Sequence, residues 1–283
     1  MATLSEPVAS RRWWPAPAKL NLFLHVVGRR DDGYHELQTA YQLLDWGDEL
    51  SFELLDEPRI ECRGGPAGVA AEDDLAWRAA MTLREHCRVQ RGASITLRKR
   101  IPVGGGLGGG SSDAATVLRV LNHAWNCGLT RAELARLGLG LGADVPVFIE
   151  GYSAFAEGLG ERLTPIDLPE RWFVIIHPRV ALSTREVFHA PDLTRNSPLI
   201  TIRAFFESGG RNDCELVVRR RYPAVAEALD WLGDFGPARL TGTGSCVFLA
   251  CTSWQEAERV AARVPDRWQS FVARGVRESP LQI

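Results

Sequence analysis

A cluster of six glycines constrains the fold of this chain more than any other feature of its sequence. The segment at 101–113 reads IPVGGGLGGGSSD, and it stands between a predicted strand at 93–100 and a predicted helix that begins at Ser111. Glycine tolerates positive φ and brings the backbone close to a ligand without a Cβ clash. The N–H groups of such a loop and the N-terminus of the next helix attract an anion. The segment therefore predicts a phosphate-binding loop rather than a flexible linker, with Ser111 and Ser112 capping the helix.

Other phosphate-binding motifs fit this segment poorly. A Walker A loop needs a lysine directly after its glycines, and none follows here. The spacing Gly104-x-Gly106-x-x-Gly109 matches the dinucleotide-binding fingerprint, but no acidic residue ends a second strand about 20 residues later. The DFG tripeptide at 234–236 matches a metal-binding motif of protein kinases, although no HRD-type catalytic loop precedes it. The context of both alternative motifs is therefore wrong.

A strand is predicted at 18–27, where AKLNLFLHVV alternates with a period of two. One face carries the apolar side chains at positions 20, 22, 24 and 26, and the other face begins with Lys19 and Asn21. This pattern is typical of a strand with one buried face. The polar face, and Lys19 in particular, is therefore available to a binding site.

Capping residues predict two further helices in the first half of the chain. Asp73 or Asp74 is expected to cap a helix that ends near Cys87. Thr130 and Glu133 have the spacing of a capping box, in which each side chain accepts a backbone N–H of the same helix start. These helices lie between the predicted strands rather than after them.

The order of the elements indicates an α+β fold. Strands are expected at 36–55 with a break at Gly47, and as short segments between Pro146 and Arg162. The second half is predicted to contain a strand at 172–177, helices between 184 and 233, strands within 238–251, a helix at 254–263 and a last strand near Phe271. Strands and helices mix without a regular βαβ repeat. A linker with Pro165 and Pro169 predicts two domains, at 1–160 and 161–283.

Charge and cysteine content limit the partners and the compartment of the protein. The 33 Lys and Arg residues nearly balance the 35 Asp and Glu residues, so no general attraction to nucleic acid or to an anionic membrane is expected. No apolar run approaches the length that spans a bilayer, and the segment at 1–14 has no apolar core of a secretory signal. The six cysteines include no CxxC pair, which favours reduced thiols in a cytoplasmic protein.

The glycine segment resembles the phosphate loop of the GHMP small-molecule kinases, on the stretch PVGGGLGGGSSDAA at 102–115. Three further segments strengthen the resemblance: PAPAKLNLFLHVVGRRDDGYHELQT at 15–39, LGADVPVF at 141–148 and RLTGTGSCVF at 239–248. The likeness extends from about residue 13 to residue 282. It implies a two-domain α+β architecture, with a ribosomal-protein-S5-like N-terminal domain and a ferredoxin-like C-terminal domain on either side of a cleft.

The resemblance also implies an activity. It implies a kinase that transfers a phosphoryl group from ATP, and the ATP chemistry implies Mg²⁺ held largely by phosphates and water. No two of the six histidines have metal-ligand spacing. The implied acceptor is the 2-hydroxyl of 4-diphosphocytidyl-2-C-methyl-D-erythritol, in the non-mevalonate isoprenoid pathway. Lys19 and Asp144 match the catalytic pair of the family. The implied oligomeric state is a monomer or a homodimer.

The resemblance assigns further residues to the two ends of the cleft. On the ATP side they are Lys99, the segment at 72–76 and the loop residues Pro102, Val103, Gly104, Gly105, Gly106, Leu107, Gly108, Gly109, Gly110, Ser111 and Ser112. Gly242 and Gly244 match a third motif that lies near the loop. On the cytidine side they are Asn21, Tyr34, His35 and Phe188.

Two other functions remain open from the sequence. One is a kinase of the same family for another alcohol, such as mevalonate or homoserine, against which the Tyr34-His35 pair argues. The other is a sugar- or nucleotide-sensing protein that has lost catalysis. Retention of both Lys19 and Asp144 argues against that second function, because a binding protein does not need the pair.

Overall fold

A computed structural model describes residues 12–66 and 68–283 of the chain. The segment at 1–14, in which no secretory signal is predicted, therefore lies mostly outside the described residues. The strands are β1 (Trp14–Arg29), β2 (His35–Leu55), β3 (Ile60–Arg63), β4 (Gly92–Arg98), β5 (Ala154–Gly158), β6 (Arg162–Pro165), β7 (Trp172–His177), β8 (Arg239–Leu240), β9 (Val247–Cys251) and β10 (Gln269–Val276). The helices are α1 (Leu75–Cys87), α2 (Gly109–Ala124), α3 (Arg131–Leu139), α4 (Val145–Glu150), α5 (Thr184–Phe188), α6 (Ile202–Ser208), α7 (Glu215–Arg221), α8 (Pro223–Gly233) and α9 (Trp254–Ala261).

The described strands form one continuous mixed sheet in the order β3-β4-β2-β10-β7-β9-β8. Strand β1 pairs antiparallel with β2, and β5 pairs with both β2 and β6. In the β1–β2 pair, Asn21 lies opposite Tyr41 and Lys19 lies opposite Leu43. Cross-strand neighbours share a face of the sheet, so this register brings Asn21 and Tyr41 to the same side.

Helices pack on the sheet around two main apolar cores. One core joins β1, β2 and β4 to α1, α2 and α4, with Leu50, Leu118 and Phe148 among its buried members. The other core joins β7 and β9 to α7, α8 and α9, with Val174 and Leu229 buried in it. Burial of each such large apolar side chain stabilises the fold by about 1.5–3 kcal/mol.

The structure corrects several of the predicted elements around the glycine loop. Helix α2 begins at Gly109, its N-cap is Gly108 at φ 75°, and no side chain caps it. Ser111 and Ser112 therefore lie within the first turn of α2, so the prediction that they cap the helix is wrong. Asp144 precedes the short helix α4, not a strand, because its VPVFIE sequence packs into the core with Pro146 in the first turn.

Strands β1 and β2 also differ from their predictions. Both faces of β1 are buried, because Lys19 and Asn21 lie against the loop and β8–β9 rather than in solvent. Strand β2 runs without a break through Gly47, where an added Cβ would lie 2.1 Å from the Ala16 carbonyl oxygen. Gly47 therefore permits a close approach of β1 and does not end the strand.

The predicted caps are confirmed. The Asp74 side chain accepts the N–H of Ala76 at 2.9 Å at the start of α1. Thr130 and Glu133 form the capping box of α3. Both caps are local in sequence, which is why the residue pattern alone predicts them.

A segment near residue 280 packs against the first half of the chain. Gly275 and Val276 of β10 lie opposite Leu44 and Leu43 of β2. The buried Arg119 donates to the Leu281 carbonyl at 3.2 Å, and Ser279 N–H donates to Gly151 O at 2.8 Å. The division at residue 160 stays a prediction, and this segment crosses it.

All six cysteines are free thiols. Burial raises the pKa of Cys62 and of Cys214 to about 12 each. These thiols are therefore protonated and unreactive at neutral pH. Of the described helices, none has the length and apolar character needed to cross a membrane.

Candidate active site

A cleft with a volume of about 980 Å³ lies where the glycine loop, β1 and α5 meet. Its walls include the loop itself, Lys19 and Asn21 of β1, the turn at 32–35, Asp144, and further residues from the second half of the chain: Thr184, Arg185, Phe188, His189, Gly242 and Thr243. Residues predicted from separate segments of the sequence thus share one cavity. Ser111 lines the cleft, whereas Ser112 is fully buried and does not.

The shape of the glycine loop depends on positive φ and on close backbone contacts. Gly104, Gly106 and Gly108 have φ of 70°, 75° and 75°. A Cβ on Gly106 would lie 2.4 Å from the Thr241 carbonyl oxygen, so only glycine fits there. Ser245 N–H donates to Gly104 O at 3.2 Å. The segment at 239–248 therefore holds the loop in place.

Lys19 and Asp144 form an ion pair beside the loop. Lys19 Nζ lies 3.2 Å from Asp144 Oδ2, and it also donates to Asn21 Oδ1 at 2.5 Å and to Gly106 O at 3.0 Å. Lys19 is buried, whereas about a third of the Asp144 side chain is exposed to the cleft. The lysine is therefore held in position by three partners, and the carboxylate remains accessible to a ligand.

Tyr41 is a member of this cluster that sequence reasoning missed. Its hydroxyl donates to Asp144 Oδ1 at 2.9 Å, and Lys19 Nζ lies 5.5 Å from the centre of its ring. Burial, and then the negative charge of Asp144, raise the pKa of Tyr41. The hydroxyl therefore stays protonated and remains a donor. In the sequence, Tyr41 is a single tyrosine in a predicted apolar strand, and that pattern alone does not indicate a site residue.

A second lysine lines the same cleft, between two buried carboxylates. Lys99 Nζ lies 2.5 Å from Asp48 Oδ2 and 2.5 Å from Asp113 Oδ2. Asp48 Oδ1 also accepts the N–H of Ile101 at 2.8 Å, while Asp113 Oδ1 has no hydrogen-bond partner. Burial raises the pKa of Asp113 to about 8. Burial opposes the charge of Lys99, but the two carboxylates outweigh it and raise its pKa.

These contacts predict that Lys99→Met destabilises the fold in a pH-dependent way. Removal of one partner from a buried ion pair leaves uncompensated charge and typically costs 3–5 kcal/mol; because Lys99 is slightly exposed, we expect about 3 kcal/mol at pH 9. At pH 6 we expect a smaller loss, because Asp113 with a raised pKa binds a proton there. The free energy of unfolding from urea titrations at both pH values measures the effect.

Arg91→Met provides the control for Lys99→Met. Arg91 pairs with Asp56 at 2.8 Å on the surface, and both side chains are more than half exposed. An exposed pair contributes about 0–1 kcal/mol. Equal losses of stability in the two variants, or a loss for Lys99→Met that is the same at pH 6 and pH 9, would contradict the role given to the buried cluster.

Three of the residues predicted for the cytidine side, Tyr34, His35 and Phe188, line the cleft at the turn before β2 and at α5. The ring of His35 stacks on Phe188, with centroids 5.2 Å apart and planes 20° apart. Arg195 Nε donates to His35 Nε2 at 3.1 Å, and burial and then this cation lower the pKa of His35. Tyr34 is 63% exposed at the cleft mouth. Together they form an aromatic wall with a neutral imidazole.

Asn21 lies with the ion pair rather than with the aromatic wall. Its amide oxygen accepts from Lys19, and its amide nitrogen donates to Thr39 Oγ1 at 2.9 Å. Both polar ends of the side chain are therefore bound within the protein. The predicted contact of Asn21 with a base stays a prediction.

Comparison with known proteins assigns the family. The GHMP kinases N terminal domain matches residues 74–152, and the GHMP kinases C terminal domain matches residues 187–270. A 4-diphosphocytidyl-2-C-methyl-D-erythritol kinase of Alkalilimnicola ehrlichii is 56% identical over 270 residues, covering 95% of this chain and 93% of the relative. The chain belongs to the GHMP kinases. The predicted family and the predicted α+β, two-domain fold class are confirmed.

Other GHMP kinases share the sequence or the fold. A 4-diphosphocytidyl-2-C-methyl-D-erythritol kinase of Pseudomonas paraeruginosa is 54% identical and covers 97% of each chain. A crystal structure of 4-(cytidine 5'-diphospho)-2C-methyl-D-erythritol kinase has a TM-score of 0.83 at 32% identity, covering 94% of this chain and all of the other. The mevalonate kinase of Methanococcus jannaschii, with a TM-score of 0.68 at 16% identity over 95% of this chain and 100% of the other, shares the fold alone.

Proposed function

We propose that this GHMP kinase transfers the γ-phosphoryl group of ATP to the 2-hydroxyl of 4-diphosphocytidyl-2-C-methyl-D-erythritol, in the cytoplasm and in the non-mevalonate isoprenoid pathway. The observation that carries the proposal is the ion pair of the buried Lys19 with the cleft-exposed Asp144, directly beside the glycine loop. Relatives that are 51–56% identical over nearly their whole length are named for that kinase. The same pair supports catalysis over a purely binding role.

Lys19 and Asp144 have the geometry to activate the acceptor hydroxyl. Phosphoryl transfer passes through a loose transition state, so the protein mainly positions groups and stabilises charge. The hydroxyl oxygen forms a bond to the γ-phosphorus, the bond to the β–γ bridging oxygen breaks, and Asp144 accepts the hydroxyl proton as ADP leaves. Lys19, 3.2 Å from the carboxylate, holds it in place and stabilises the negative charge that develops during transfer.

The glycine loop supplies the phosphate site for ATP. Its positive-φ glycines turn the backbone toward the cleft, and α2 begins directly behind them with the positive end of its dipole. Mg²⁺ prefers oxygen ligands and keeps several waters. The cleft offers the hydroxyl of Ser111, an oxygen ligand that fits a Mg²⁺ ion held mainly by ATP phosphates and water. When bound, the ion neutralises phosphate charge.

A coupled assay of ADP release tests the proposed function. The unaltered chain is given ATP, Mg²⁺ and one of three alcohols: 4-diphosphocytidyl-2-C-methyl-D-erythritol, mevalonate or homoserine. We expect turnover with the first alone, and phosphorus NMR should place the new phosphate on its 2-hydroxyl. Turnover with mevalonate or homoserine instead would reassign the acceptor, and no turnover with any alcohol would favour a binding protein.

Two glycine substitutions test the role of the loop geometry. Gly108 and Gly104 have nearly the same φ, but a Cβ on Gly108 would lie 2.9 Å from the Phe148 ring and 3.2 Å from Lys19 Cε. A Cβ on Gly104 has no neighbour closer than 3.7 Å. We expect Gly108→Ala to lower kcat/KM for ATP by about 10-fold or more, because misplacement of a reacting group by 1 Å costs up to about 10².

Gly104→Ala is the matched control for the loop, since it adds the same methyl group at the same φ. We expect the loss of kcat/KM for ATP in Gly104→Ala to be several-fold smaller than the loss in Gly108→Ala. Steady-state kinetics measure kcat/KM, and calorimetry measures the nucleotide affinity. If the two variants lose the same activity, backbone strain alone explains the effect and the contact with Lys19 does not matter.

A further inference from the structure

The carboxylate of Asp144 is held from two sides by the protein. Lys19 approaches Oδ2, and the Tyr41 hydroxyl donates to Oδ1 at 2.9 Å. Lys19 comes from β1, and Tyr41 comes from β2, where it lies opposite Asn21. The two contacts are therefore fixed by one strand pair. The orientation of the carboxylate therefore depends on both side chains.

Tyr41 is placed for this hydrogen bond by its surroundings. Its side chain is almost fully buried in the core where that core lines the cleft, which limits competition from water for the hydroxyl. Gly160, in the turn between β5 and β6, packs so closely that a Cβ there would lie 2.5 Å from the Tyr41 oxygen. The hydroxyl is therefore confined between this turn and Asp144.

We propose that Tyr41 is a positioning residue, whose hydroxyl orients the Asp144 carboxylate toward the acceptor hydroxyl. The proposal rests on the proposed function, in which Asp144 accepts the proton of that hydroxyl. Tyr41 acts only through Asp144 and does not touch the reacting atoms. A phenylalanine at this position would fill the same space and leave Oδ1 without its donor.

Loss of the hydroxyl has a defined effect on the contacts of Asp144. In the part of the chain that the structure describes, the charged groups that face Asp144 and Tyr41 are Lys19 on β1 and Glu161 in the turn after β5. Tyr41→Phe leaves Lys19 at Oδ2 and removes the donor at Oδ1, so the carboxylate is no longer held from both sides.

The experiment compares the unaltered chain with Tyr41→Phe in kcat and in the KM values for ATP and for the acceptor. We expect kcat at pH 8 to fall about 3- to 10-fold with both KM values unchanged, because orientation is lost and binding is not. An unchanged kcat, or a rise in KM as large as the fall in kcat, would overturn the proposal.

Tyr222→Phe is the matched control. The Tyr222 hydroxyl donates to Glu186 Oε2 at 3.3 Å on the surface, so this variant also removes one tyrosine–carboxylate hydrogen bond. We expect its kcat and KM values to equal those of the unaltered chain. In the Asp144→Asn background, Tyr41→Phe should change kcat less than 2-fold, because Tyr41 acts through that carboxylate. If Tyr41→Phe instead lowers kcat by the same factor with and without Asp144→Asn, the proposal is contradicted.

Turnover of the unaltered chain separates this proposal from the function itself. Normal turnover of the unaltered chain together with an unchanged kcat in Tyr41→Phe overturns the positioning role alone. Failure of the unaltered chain to phosphorylate the cytidine acceptor would instead overturn the proposed function.

Discussion

Asp144→Asn should lower kcat by roughly 10²–10⁴, as loss of a general base does in other enzymes. Asparagine keeps the size of the side chain and its oxygen can still accept from Tyr41, but it cannot take the hydroxyl proton. Lys19 also loses its ionic partner at 3.2 Å. The affinity for ATP should barely change, because the glycine loop does not depend on this carboxylate. Steady-state kinetics and calorimetry measure the two quantities.

The control for Asp144→Asn is Asp230→Asn. Asp230 pairs with Arg219 at 2.6 Å on the surface, and most of its side chain is exposed. This variant should keep the kcat of the unaltered chain. Turnover of Asp144→Asn within a few-fold of the unaltered chain would eliminate Asp144 as the base and require another proton acceptor.

A uridine analogue of the acceptor should be phosphorylated at least about 10²-fold less efficiently, in kcat/KM, than the cytidine compound. Cytosine presents an amino donor beside two acceptors, whereas uracil reverses two of these groups. An unpaired buried polar group costs about 1–3 kcal/mol, and sites that require a specific hydrogen bond discriminate by 10⁴ or more. Equal efficiency with both analogues would show that the protein does not read the base.

Variants of the aromatic wall and of Asn21 refine the test of base recognition. Tyr34→Ala should lower kcat/KM with both analogues, since stacking does not distinguish base edges. The residue pattern alone predicts that Asn21→Ala reduces the difference in kcat/KM between the cytidine and the uridine analogue. The hydrogen bonds of Asn21 to Lys19 and Thr39 favour a different result, an equal loss of kcat with the two analogues. The ratio of the two efficiencies decides between these roles.

The parts of the site that the sequence predicted are short segments with strong local constraints. The glycine loop has six glycines in seven positions, and three of them take positive φ as that composition requires. The alternation of 18–27 predicted a strand that carries Lys19, and Asp74 predicted the start of α1. In each case the physical cause lies within a few residues.

The features that the sequence did not predict depend on contacts between distant segments. Asp48 and Asp113 meet at Lys99 only because β2 and β4 pair in one register and α2 packs beside them. Tyr41 reaches Asp144 across 103 positions of the chain. Helix α4 has the β-branched composition of a strand, and packing against α2 and α3 overrides that propensity. Such outcomes follow from the assembled fold.

The return of residues 275–281 to the first half of the chain has a consequence for biosynthesis. Val276 pairs with β2, its carbonyl accepts from Gln42 at 2.9 Å, and the buried Arg119 needs the Leu281 carbonyl. A nascent chain that has emerged only to residue 160 therefore exposes an unpaired stretch of β2 and a buried cation without its acceptor. Contacts of such long sequence separation slow folding. The half that carries Lys19, the glycine loop and Asp144 completes its fold only after residues 275–281 have left the ribosome.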